Sequence, residues 1–314
     1  MNKSENYYSD WLLMKKKILI TGAAGYIGSI LATELVKLGY QVVAVDILKY
    51  EQNSLSHLHF YENFKFIKGD VTKPSVVKKI VKGCNFIIPL AALVGAPLCD
   101  KFKRETKKLN VDSIKLLLKY LNKRQKIIYP TTNSGYGIGE KNKFCDENSP
   151  LRPVSLYGVT KLQAEKIILS HRNSVCFRLA TVFGYSYRMR TDLIVNNFTQ
   201  KAVREKKLEI FEPQFRRNFV HVKDVVAAFI FSIKYFNKLK NNIYNLGLST
   251  ANITKLALAK KIKKQVKKLK IKIITNAKDP DKRDYFVSNK KIEKAGFKAT
   301  ISLEAGIKEL VNLF

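Results

Sequence analysis

The stretch Thr21-Gly22-Ala23-Ala24-Gly25-Tyr26-Ile27-Gly28 constrains this chain more than any other part of it. It follows the apolar run Ile18-Leu19-Ile20 directly and opens a segment of helical periodicity. A backbone that leaves a strand and enters a helix over so few residues must turn tightly, and glycine tolerates both the angles and the crowding. The same turn gathers N–H groups at the positive end of a helix, a ready seat for a pyrophosphate. Glycine spacing alone is a weak signal. A strand before it and a helix after it supply the context of a dinucleotide site, with Gly22, Gly25, Tyr26, Ile27 and Gly28 as the expected contacts.

The first half of the chain repeats that alternation. Short apolar runs at 17–21, 41–45, 65–68, 86–90, 127–130 and 175–179 read as strands, and amphipathic stretches at 27–38, 74–81, 111–121 and 157–171 read as helices. Parallel strands joined by helical crossovers predict an α/β fold, a doubly wound parallel sheet of the Rossmann type. Beyond Gly184 the pattern loosens into a loop and helix over 188–206, a short strand over 219–222 and a helix over 224–235. A very basic helix over 252–268 and a strand over 271–275 follow. The expected organisation is a mobile N-terminal extension (1–14), a dinucleotide domain (15–182) and a smaller mixed α/β C-terminal lobe for substrate (183–314). The segment 219–247 is expected to return to the first domain.

Composition excludes several classes of protein. Hydrophobic residues form 46% of 314, enough for a sizeable core. No apolar run approaches the roughly 20 residues that span a bilayer, and the N-terminus lacks a secretory signal. The four cysteines form no close pair and the four histidines no ligand spacing, so neither a disulfide framework nor a metal site is expected. Together these readings predict a cytoplasmic protein. The formal charge of +33 comes from 47 lysines against 11 arginines, spread along the whole length. Arginine, the better reader of phosphates in nucleic acid, is scarce, and no dedicated nucleic-acid or membrane surface is expected. The positive field should still gather an anionic substrate.

Asp46 ends the second strand, 18 residues beyond Gly28. A carboxylate there accepts hydrogen bonds from an adenosine ribose and repels a 2′-phosphate, which favours NAD over NADP. Asp70 and Val71 follow the third strand, within reach of an adenine. Tyr157 and Lys161 stand four apart at the start of a helix, so phenol and ammonium share one face. A free tyrosine titrates near pH 10. A neighbouring cation favours the phenolate and makes Tyr157 a plausible general base, with Lys161 also on the nicotinamide ribose. Thr132 ends a strand 25 residues earlier, where its hydroxyl can bridge a substrate oxygen and the phenol. Turn chemistry alone accounts for Asn133 and Ser134.

These residues together resemble the extended short-chain dehydrogenase/reductase family, in particular its nucleotide-sugar epimerases, dehydratases and dehydrogenases. The resemblance runs from Lys17 nearly to the C-terminus. It implies that Leu90, Ala91 and Ala92 lie beside the nicotinamide, that Arg217 and Arg283 grip a substrate diphosphate, and that the chain forms a homodimer through its 111–121 and 157–171 helices. The family's 4,6-dehydratases carry Asp-Glu after the catalytic threonine; Asn133 and Ser134 here cannot do that acid–base work. The runs at 90–99, 132–140 and 279–285 are similar to a capsule-synthesis branch that oxidises C4 of GDP-D-glycero-α-D-manno-heptose. A 4-epimerase of a UDP-hexose would use the same trio, and a non-catalytic NAD-sensing or RNA-binding relative is the remote alternative.

Overall fold

The computed structural model describes residues 16–50, 53–140, 143–275 and 283–314; the expected N-terminal extension lies outside them. Seven strands form the central sheet: β1 (Lys17–Thr21), β2 (Gln41–Asp46), β3 (Phe64–Lys68), β4 (Phe86–Pro89), β5 (Lys126–Thr132), β6 (Ser174–Leu179) and β7 (Asn242–Leu246). Their order across the sheet is β7-β6-β5-β4-β1-β2-β3, every neighbouring pair parallel.

Side chains alternate between the faces of a strand, and both faces here are covered. Ile18 and Ile20 point into a core shared with helices Tyr26–Lys37 and Val222–Lys234, while Leu19 points into one shared with helix Pro74–Ile80. Such strands read as continuous apolar runs because neither face meets water. Between β1 and β4 the winding reverses, and the crevice at the carboxyl ends of the strands there is where open α/β sheets bind ligands.

The rest of the chain builds a mixed lobe. Strand Arg216–His221 pairs in parallel with Thr181–Phe183 and antiparallel with Asn252–Thr254, while Lys207–Phe211 pairs in parallel with Lys270–Ile274. The expected helix over 252–268 is shorter than its periodicity suggests. Asn252–Thr254 is strand, and the Thr254 hydroxyl then caps helix Lys255–Gln265 by accepting from the Ala257 N–H at 3.1 Å. A β-branched pair and an N-cap residue outweigh the charge pattern that follows them.

Helix Leu156–Leu169 lies against β5 and β6, with Ala164 and Ile168 packed on Ile127, Tyr129 and Cys176. Its rotation is fixed by a buried ion pair. Arg178 of β6 donates through Nη2 to Glu165 Oε1 at 2.7 Å, and through Nη1 to the Tyr136 hydroxyl and the Glu147 carbonyl, both at 3.2 Å. Removing one partner of such a pair strands the other charge at a cost of about 3–5 kcal/mol. Glu165→Gln should therefore lower the unfolding free energy by roughly that amount in a urea titration; a loss below about 1 kcal/mol would mean the pair behaves as a surface one.

Candidate active site

The glycine turn touches the end of β4. Gly22 has φ +67°, and a Cβ there would lie 2.6 Å from the Ala91 nitrogen. The Leu90 N–H donates to the Thr21 carbonyl at 2.9 Å, so the strand end and the turn share one rim of the crevice. Helix Tyr26–Lys37 starts at Gly25 with no side chain capping it. Its first N–H groups, at Tyr26 and Ile27, are thus presented without the usual side-chain acceptor. The Asp46 carboxylate stands beside the turn, accepting from the Ala24 N–H at 3.0 Å and the Leu48 N–H at 2.8 Å. That backbone cradle and its acid suit a dinucleotide pyrophosphate and ribose.

Other expected contacts are placed differently from one another. Leu90, Ala91, Ala92 and Val71 are half-buried around the same crevice. Asp70 spends Oδ1 on the Thr72 N–H and hydroxyl, both at 2.8 Å, as a turn cap. The Tyr26 side chain turns away, its hydroxyl donating to the Gly184 carbonyl at 2.6 Å, so its backbone alone is left for a ligand. Asn110 ties the β4 loop to the long helix by bonding Leu93 N–H and carbonyl at 2.9 Å and the Thr160 hydroxyl at 3.4 Å.

Thr132 and Tyr157 come together at the carboxyl end of β5, and Lys161 stands one helical turn beyond Tyr157. Ser155 caps the helix by accepting from the Gly158 N–H at 3.2 Å, which sets Tyr157 in the first turn. The Thr132 hydroxyl lies beside the Tyr157 phenol; it accepts from the Ser134 N–H at 3.1 Å and donates to the Ser134 hydroxyl at 2.9 Å. Burial raises the Tyr157 phenol above its ordinary value, against the Thr132 hydroxyl and the charges of Arg283 and Arg190. Two arginines thus act on the phenol. The Lys161 ammonium, expected in that part, donates to the Tyr129 hydroxyl at 2.7 Å. Burial pulls Lys161 down to about 7, opposed by Cys176, Glu165 and Cys99.

The two expected diphosphate arginines come from different parts of the lobe, Arg217 from strand Arg216–His221 and Arg283 from the segment before Tyr285. Arg217 is buried, bonded to the Arg216 carbonyl at 2.9 Å and facing the Tyr285 ring. Arg283 reaches across to the Ser134 hydroxyl, joining the lobe to Thr132. Ser134 and Arg190 are thus parts of the site that the sequence reading passed over. Adjacency to Thr132 could have suggested Ser134; nothing in its spacing singles out Arg190, which is paired with Asp192 at 2.5–2.7 Å. The Asn133 amide is buried, with no hydrogen-bond partner for either end among the described residues. No group of three His, Cys, Asp or Glu suited to a metal occurs among the described residues, and no helix there is long and apolar enough to cross a membrane.

The loop carrying Arg190 is anchored from two sides. Ser186 donates to the Tyr26 carbonyl at 2.6 Å, and the Tyr185 N–H donates to Glu309 on helix Leu303–Leu313 at 2.9 Å. Glu309 also bonds His221 Nε2 and Lys223 Nζ, each at 2.8 Å.

The family described as "NAD dependent epimerase/dehydratase" has a sequence model that matches residues 18–247. An uncharacterised UDP-glucose epimerase of Bacillus subtilis (strain 168) is 31% identical over 228 residues, covering 68% of this chain and 71% of that protein. A trifunctional UDP-glucose 4,6-dehydratase, 3,5-epimerase and UDP-4-keto-L-rhamnose reductase of Arabidopsis thaliana is 27% identical over 321 residues, covering 95% of this chain. The chain spans 47% of that plant enzyme's length. Among solved structures, the UDP-glucuronic acid 4-epimerase of Bacillus cereus, in complex with UDP-glucuronic acid and NAD, superposes with a TM-score of 0.84 at 24% identity. It covers 95% of this chain and 100% of its own. That likeness is one of fold.

Burial works to raise Glu309, but hydrogen bonds from His221, Lys223 and the Tyr185 N–H hold its carboxyl down at about 2. A depressed carboxylate contributes stability that is complete above its unfolded value and is lost as pH falls through the folded one. The stability gap between the parent protein and Glu309→Gln should be widest at pH 7 and close progressively from about pH 5 toward 2. Urea unfolding at a series of pH values measures it, and a gap independent of pH would contradict the assignment.

Proposed function

The chain belongs to the NAD-dependent epimerase/dehydratase family, and from that premise we propose that it oxidises the C4 hydroxyl of a nucleotide-activated sugar, with Tyr157 taking the hydroxyl proton. The observation that carries this reading is the placement of the Tyr157 phenol beside Thr132 at the end of β5, under the charges of Arg283 and Arg190, with Lys161 one helical turn further on. NAD is the cofactor of the family, and the uncapped helix start, the Gly22 approach and Asp46 fit it. When bound, NAD would supply a hydride acceptor for C4 and a positive ring that favours the phenolate.

In this proposal Gly22, Gly25, Tyr26, Ile27 and Gly28 hold the pyrophosphate and Asp46 the ribose. Asp70 and Val71 border the adenine, and Leu90, Ala91 and Ala92 border the nicotinamide. Thr132 orients the sugar hydroxyl on the phenol, and Lys161 stabilises the charge that develops there. Arg217 and Arg283 take the diphosphate, for which guanidinium forks are suited. Residues 15–182 serve the cofactor and 183–314 the substrate, with 219–247 contributing to the sheet. Helices Ser113–Tyr120 and Leu156–Leu169 pair across a two-fold axis in a homodimer. The setting is the cytoplasm, where four unpaired thiols stay reduced.

The sugar proposed is a GDP-heptose, released as its 4-keto form. The support is the wording of 90–99, 132–140 and 279–285 in this sequence. A second reading, 4-epimerisation of a UDP-hexose, is favoured by the relatives named as UDP-sugar epimerases. Both begin with the same oxidation. Dehydration is disfavoured because Asn133 and Ser134 offer no ionisable group to the leaving hydroxyl.

With GDP-heptose and UDP-hexose supplied in turn, reduced-nicotinamide absorbance and product NMR should reveal a 4-keto sugar. A clean epimer without ketone decides for the second reading, and no turnover with any sugar nucleotide would overturn both. Tyr157→Phe should cut kcat by about 100-fold or more while NAD binding, followed calorimetrically, persists. Asp46→Ala should relax discrimination against NADP; unaltered selectivity would remove Asp46 from the ribose.

A further inference from the structure

An ammonium group sunk among apolar side chains tends to shed its proton, and Lys161 is sunk in that way. It is 5% exposed, between β5, β6 and its own helix. Its contact partner is Tyr129 of β5, 2% exposed. The Tyr129 hydroxyl accepts from Nζ at 2.7 Å, and the centre of its ring lies 4.1 Å from the same nitrogen. A phenol oxygen and an aromatic face both favour the charged amine over the neutral one.

The other titratable groups facing this ammonium are Cys176 on β6, Glu165 one turn along the helix and Cys99 on helix Ala96–Lys101. Tyr157 faces the Tyr129 hydroxyl. Glu165 is committed to Arg178 at 2.7 Å, and burial keeps both thiols neutral by raising them. Contact-distance support for the charge therefore comes from Tyr129.

We propose that Tyr129 is a positioning residue that anchors the Lys161 ammonium and keeps its proton on, so that the charge is available to Tyr157. This rests on the role given to Lys161 above. A Lys161 without its proton would offer a developing phenolate nothing. Phenylalanine at 129 would keep the ring and remove the acceptor.

The test uses NAD-loaded protein carrying ε-15N lysine, with the buried signal assigned by its loss in Lys161→Met. In Tyr129→Phe the titration midpoint of that signal should fall by about one pH unit. One unit moves the amine–phenol balance about tenfold, so kcat should fall about tenfold with KM for the sugar nucleotide unchanged. An unchanged midpoint overturns the part given to Tyr129. A lowered midpoint with unchanged kcat overturns instead the part given to Lys161 in the reaction. A merely structural role would change thermal stability and KM without moving the midpoint.

Discussion

The close approach of two backbones organises this molecule. At Gly22 the chain leaving β1 passes so near the chain leaving β4 that a single Cβ would collide with the Ala91 nitrogen. Because these are the two strands at which the winding of the sheet reverses, the contact sets the floor of the crevice. The helix start, the acid at the end of β2 and the loop after β4 are then brought to one rim. A side chain at that point would force the strand ends apart, and the pieces that suit a dinucleotide would no longer face one another.

Around that floor several charged groups sit in an apolar setting, each with a partner. Arg178 and Glu165 neutralise one another and fix the long helix. That helix in turn carries Tyr157 and Lys161 to the carboxyl end of β5. Tyr157 is raised by burial and restrained by Thr132 and two arginines, while Lys161 is lowered by burial and held by Tyr129. Burial thus disfavours the charged form of each, phenolate and ammonium alike, and the neighbouring arginines and the Tyr129 hydroxyl work against it. The lobe enters through Arg283 on Ser134 and through the Glu309 anchor of the loop that holds Arg190. The lobe and the carboxyl end of β5 are therefore linked by a direct hydrogen bond.

Much of this is readable from spacing. Every sheet strand as far as β6 falls within a residue or two of its apolar run, because a strand covered on both faces can tolerate few polar residues. The Tyr157–Lys161 pair is legible because helical spacing is rigid. What spacing does not carry is direction across elements. Helical spacing sets the Lys161 ammonium on one face with Tyr157, four residues away, whereas in the structure it donates to Tyr129, 32 residues away on a neighbouring strand. Ser134 read as turn chemistry because its hydroxyl becomes part of the site through Arg283, which is 149 residues distant.

By itself the sequence determined the alternating α/β pattern, the glycine turn with its acid, and a tyrosine and lysine one helical turn apart with a threonine at the end of a strand. These depend on local backbone geometry and on periodicity, which neighbouring residues specify. The tertiary structure alone decided which charges meet: the arginines about the phenol, the tyrosine beneath the ammonium, the glutamate that ties the last helix to the loop. Charges and hydrogen bonds act over a few ångströms of space, and that proximity is created by packing between elements far apart along the chain.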